Sequence, residues 1–130
     1  MTTKAGRKHI AELHFERKVW LNHLNFFRDE LKIFNHRLEE LAMANTKVEV
    51  TSQIEGYQNR FIRDNEVIDE LVHRINEKES ELASYAMDHP VAIDHVLFKD
   101  HDKLREDCER NEELYKEMKH DFIRFVANWL

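Results

Sequence analysis

Residues that turn a backbone are scarce in this chain. Two glycines and one proline among 130 residues compare with ordinary usage of about 7% and 5%. A sandwich or barrel of short strands needs frequent turns, and a phosphate-cradling loop needs several glycines, so this composition excludes both. The single cysteine, Cys108, excludes an internal disulfide and any paired-cysteine metal or redox motif. Apolar runs are short as well: none approaches the length of about 18 residues that a membrane span requires, and no apolar leader segment opens the chain. No membrane partner is therefore expected, and the cytoplasm is the expected location. Cationic blocks are missing too, since the formal net charge is -6 and acids alternate with bases. Nucleic acid, which demands a basic stripe to replace phosphate counterions, is not an expected partner.

What remains is 42% apolar and 35% charged, enough for one domain with a buried core. The order of these residues specifies helices. Ile10, Leu13, Arg17, Trp20, Leu24, Phe27, Leu31, Phe34, Leu38 and Leu41 recur at alternating spacings of three and four, the seam of an amphipathic helix. A second seam runs from Val50 through Ile54, Tyr57, Phe61, Asp64, Ile68 and Leu71 to Tyr85, and a third from Leu97 through His101, Leu104, Cys108, Asn111 and Tyr115 to Trp129. The spacing predicts helices over residues 5–44, 47–87 and 92–129. Thr46 and Glu49 form the pattern of a capping box at the second start, and Pro90 disfavours helical dihedrals just before it. Connections this short give an all-α, antiparallel up-down-up bundle of three long helices with coiled-coil-like packing, one domain spanning residues 1–130. Gly56, inside the second helix at a cost of about 1 kcal/mol relative to alanine, is expected to admit a close neighbour.

The first helix carries another apolar set, Phe15, Val19, Phe26 and Ile33, roughly 130° around its axis from the seam. A helix in a three-helix bundle has one wet face, so this stripe is expected to be covered by a second copy of the chain, or else to be taken up by uneven wrapping of the bundle.

Nine histidines are the one compositional hint of specific chemistry. Glu70–His73 and Glu117–His120 share the spacing of metal-binding helix pairs, but counting from the turns puts them about 16 Å apart in height, too far for one binuclear centre. Asp69, Glu70, His73 and Glu77 could meet on one helical face as a loose metal comb, against ordinary ion pairing on a wet surface. Three Asp-His dipeptides, ending at His89, His95 and His101, point about 120° apart on a helix and share no ligand. Their acids are expected to favour the positive end of the third helix.

The stronger candidates are polar residues that interrupt the seams. His14, Arg17, Lys78 and His101 are predicted to lie within about two turns of one another, either as a polar register layer or as a small ligand pocket. Glu16, Glu77, Glu79 or Asp102 is expected to compensate them. Asp64 and Asn111 are expected as a second, mid-bundle layer within reach of His23 or Arg28. Cys108 has no histidine at the spacings that would activate it, and Phe122, Phe125 and Trp129 read as core. No nucleophile, general base and orienting group can be assembled from this pattern, and no cofactor is implied. The function expected is that of a non-catalytic, homodimeric interaction module able to dock a protein or helix. The alternative is a metal- or small-ligand-binding bundle serving as a sensor or redox enzyme. A pH-responsive role for the histidines is a third possibility.

Overall fold

The computed structural model describes the backbone of residues 2–88 and 95–130, and the side chains of residues 10–85, 87 and 100–130. Three helices account for it: α1 (Thr2–Ala44), α2 (Val48–Asp88) and α3 (His95–Trp129). The predicted start of the third helix at residue 92, and Pro90, lie outside the described residues. Partners across the bundle define its direction. His14 meets Glu79 while Arg28 meets Asp69, so α1 and α2 run antiparallel. Lys78 meets Asp100 and Arg74 meets Asp107, which reverses α3 again and makes the bundle up-down-up.

The seams are the buried faces. Leu31, Leu38 and Leu41 of α1, Phe61, Ile68 and Ile75 of α2, and Leu104, Tyr115 and Phe122 of α3 are all but inaccessible. Each large apolar side chain so buried contributes about 1.5–3 kcal/mol. The apolar interior is not continuous, however. Leu13 and Leu82, with Ile10 and Tyr85, form a small cluster separate from the main core. Arg17 and His101, the two buried polar residues among those described, occupy the level between.

Asn45 explains where α1 stops. Its backbone N–H donates to the Leu41 carbonyl (3.0 Å), and its side-chain amide donates both to Leu41 (3.1 Å) and to the Trp129 carbonyl at the far end of α3 (3.3 Å). One side chain thereby closes one helix and ties it to the end of another. The start of α2 differs from expectation. The Lys47 carbonyl accepts from Val50 and Thr51, so Lys47 occupies the cap position, and Thr46 forms no capping bond. The helix begins one residue later than the capping-box pattern requires, which places the threonine hydroxyl one residue too early. Gly56 also departs from expectation: a Cβ built there would meet nothing within 4 Å. The glycine faces an open groove between α2 and α3, not a close-packed helix.

Candidate functional site

The polar layer near the open end is assembled by all three helices. On α1, three nearby positions divide the work: Glu16 faces α3, Arg17 is buried, and His14 stays at the rim. Arg17 Nη1 donates to the Lys78 carbonyl at 3.0 Å and lies 3.7 Å from the Glu79 carboxylate. His14 reaches that same carboxylate from outside. Lys78 does not enter the core. Its stem follows the apolar surface and its ammonium donates outward to Asp100 (2.9 Å) and Glu81 (3.1 Å), contacts that raise its pKa, Asp100 most.

His101 is the centre of the α1–α3 contact. Its ring stacks on Trp20 with centroids 5.0 Å apart, and Nε2 lies 3.0 Å from Glu16. Glu16 also accepts two bonds from Arg105, at 2.7 and 2.6 Å, the paired geometry in which a guanidinium grips a carboxylate most strongly. Arg105 holds the Glu16 carboxyl down to about 2, with His101 adding to the effect against the opposing influence of burial. Burial lowers the pKa of His101, and the nearby Arg17 and Arg105 cations push the same way against Glu16. Burial likewise lowers that of Arg17.

Of the four residues expected in this layer, then, Arg17 and His101 are buried and His14 and Lys78 border them. Glu16 and Glu79 supply the compensating charge, whereas Glu77 pairs with His73 and Asp102 with Arg105. Sequence reasoning missed Arg105 and Asp100. Arg105 stands four residues after His101, on the same helical face, which was the available signal.

The mid-bundle layer is built differently from expectation. Asp64 is held by Arg60 Nε at 3.0 Å, one turn away on α2, and Arg60 also donates to the Leu114 carbonyl at 3.2 Å. His23 and Arg28 go elsewhere, to Glu112 and Asp69. An arginine four residues from the acid wins because the pair requires no reach across the bundle. Burial raises the Asp64 pKa against the opposing pull of Arg60. A further polar contact was not expected from the seams, although Tyr115 lies on one: stacked on Phe27 at 4.1 Å, it donates its hydroxyl to Glu30 at 2.7 Å, and Lys119 binds the other oxygen of that carboxylate at 2.6 Å.

The metal comb does not assemble. His73 and Glu77 pair at 2.9 Å on an exposed face, Asp69 is engaged by Arg28, and Glu70 lines a groove toward α3. Among the described residues no group of three or more histidine, cysteine or acidic side chains could hold a metal ion, and no helix is long and apolar enough to cross a membrane. Glu117 and His120 lie on the exposed side of α3. Of the Asp-His dipeptides, the side chains of the first two lie outside the described residues. In the third, Asp100 serves Lys78 and His101 serves Glu16. The first turn of α3 contains no acid, contrary to the helix-end role expected for them, because the helix begins at His95, after Asp94. Cys108 is buried and its thiol is pushed up to about 12 by that burial, so it holds its proton at neutral pH.

The His101 environment sets a pH dependence. Its folded pKa is depressed, so the contribution is present above the unfolded value of about 6.5 and is lost as pH falls through the lower folded value. Glu16, ionised in both states above about 4.5, adds nothing to a change between pH 7.5 and 5.5, and acts only on further acidification. Urea midpoints are therefore expected to be lower at about pH 5.5 than at 7.5, with a smaller difference in His101→Gln. An equal difference in that variant would assign the effect to other groups.

No known protein family, curated protein or solved structure matches the chain.

Proposed function

We propose that this chain is a non-catalytic interaction module that self-associates through the outer stripe of α1. The observation that carries the reading is the exposure of that stripe: Phe15 at 68%, Phe26 at 56% and Ile33 at 67%. Uneven wrapping would have covered these side chains, and it does not. Val19 is half-buried between them, and at the Ile33 end the stripe meets α3, where Ile33 of α1 and Ile123 of α3 border a groove of about 260 Å³ lined also by Phe34 and Phe122. Large apolar side chains exposed along one face of a helix are the kind of surface that interfaces use. The heptad spacing of the three seams suits coiled-coil packing within each copy, and the single buried thiol suits a cytoplasmic setting.

The test is the assembly state by native mass spectrometry and sedimentation over about 1–100 μM. The unaltered chain is expected as a dimer. Phe26→Glu with Ile33→Glu is expected as a monomer with unchanged helicity, because both side chains are already exposed in the single copy. A monomeric parent, or a variant that remains dimeric, overturns the assignment. A variant that loses its helicity does so as well, since it places these residues in the core of one copy.

A further inference from the structure

A groove of about 440 Å³ runs between α2 and α3 at mid-length, walled by Arg60, Arg63 and Arg74 on one side and Arg110 on the other. Val67, Leu71 and Leu114 give it an apolar lining, and Asp64, Asn111 and two further acids, Glu70 and the Arg74-paired Asp107, complete it. The arginines are not equally committed. Arg60 is fixed by Asp64 and the Leu114 carbonyl, and Arg74 by Asp107 at 2.8 Å. Arg110 comes no nearer than 3.7 Å to Glu113, with both side chains largely exposed. Arg63, exposed on α2, takes part in no hydrogen bond or ion pair among the described residues. Two guanidinium groups thus keep most of their donors for something other than this chain.

Two buried atoms beside them are also unsatisfied. Asp64 Oδ2 has no donor and Asn111 Nδ2 has no acceptor. An unpaired buried polar atom is destabilising, and a ligand supplying the partner recovers the loss. One ligand chemistry meets all of these needs together. It must be an oxyanion, to accept from Arg63, Arg110 and Asn111, and it must still carry a hydroxyl, to donate to the Asp64 carboxylate.

We propose that the α2–α3 groove binds hydrogen phosphate, gripped by Arg63 and Arg110, with Asn111 Nδ2 donating to a phosphate oxygen and the phosphate hydroxyl donating to Asp64 Oδ2. The two buried atoms are closed to solvent in this structure, so binding includes a change of rotamer in the long side chains around them. Arginine's planar fork suits a tetrahedral oxyanion better than a point charge would. Asp64 makes the site selective. Sulfate is fully ionised at neutral pH, has no proton to give and meets the carboxylate as a like charge. A phosphomonoester shares the chemistry only while protonated, and its second pKa is about 6.

The experiment is an amide NMR titration of the full chain with sodium phosphate, sodium sulfate and phenyl phosphate at matched ionic strength. Saturable shifts around Asp64, Asn111 and Arg63 are expected with phosphate at about pH 7.5, and binding of sulfate about tenfold weaker or less. Asp64→Asn replaces the acceptor by an amide that also donates, and is expected to bring sulfate up to phosphate. Arg63→Gln, at the surface, is expected to weaken phosphate about tenfold with an unchanged melting temperature. Phenyl phosphate binding that is stronger at pH 5.5 than at 7.5 would make an ester the source of the group; failure of the ester makes it free phosphate. Equal responses of the unaltered chain to phosphate and sulfate, no saturable response to phosphate, or undiminished binding by Arg63→Gln would overturn the proposal.

Discussion

Phe61→Ala is expected to lower stability by about 3–5 kcal/mol, the range for deleting a fully buried aromatic ring. Phe61 is inaccessible and stands where the rings of all three helices meet: 6.1 Å from Phe34 of α1, 6.1 Å from Tyr57 of its own helix, and 5.1 Å, edge-on, from Phe122 of α3. Phe125 closes the cluster against Tyr57 at 5.0 Å. The ring fixes three helices at one level, so the cavity left by its removal cannot collapse by moving a single neighbour. Domains of this size hold about 5–15 kcal/mol in total, so the loss is a large share. Urea unfolding followed by circular dichroism should show the midpoint falling with little change in slope. Phe61→Leu, which refills most of the volume, should cost about a third as much. Similar midpoints for the alanine and leucine variants would show that the cluster tolerates a void, and that the stability of this end comes from elsewhere.

The reason these rings could be assigned to the core from sequence is that they recur on the seam, and a period of seven residues survives any detail of packing. The same holds for Arg17 and His101. Both interrupt otherwise apolar seams, and both are buried in the structure. Their partners were legible only as a choice among nearby acids. Glu79 faces Arg17 because it lies two residues, about 200° around α2, from Glu77, which therefore points to the exposed face and pairs with His73. Asp64 found its arginine one turn away on α2, a local solution that a search across the bundle passes over. Gly56 illustrates the limit of reading a residue for what it permits. A missing side chain admits a neighbour or leaves a groove, and the spacing is identical in the two cases. The cap of α2 turned on a shift of one residue, from Thr46 to Lys47, which a sequence pattern does not resolve.

Removing Glu79 is expected to do more harm than removing the arginine it serves. Arg17 is fully buried, and two of its nitrogens, Nε and Nη2, have no hydrogen-bond partner. Its charge is tolerated because Glu79 lies 3.7 Å away and the Lys78 carbonyl accepts at 3.0 Å. Glu79→Ala leaves that cation enclosed without its nearest counter-charge, with only the weaker influence of Glu81 and Glu16, and strips His14 of its partner as well. Deleting one member of a buried pair costs about 3–5 kcal/mol; Glu79 is 24% exposed, so screening brings the expected loss to about 2–3 kcal/mol. Arg17→Met removes the buried charge and its unsatisfied nitrogens together. It also joins the Leu13–Leu82 cluster to the main core, across a level that the guanidinium now interrupts. The glutamate left behind keeps His14 at Oε2 and is 24% exposed, although its Oε1 is closed to solvent and unpaired. Stability within about 1 kcal/mol of the unaltered chain, or above it, is therefore expected for Arg17→Met. Urea unfolding of the two single variants and the double variant completes a cycle in which Arg17→Met should rescue most of the Glu79→Ala loss. Equal and additive losses would mean that the two side chains act independently, and that the layer is held by the Glu16–His101–Arg105 contacts alone.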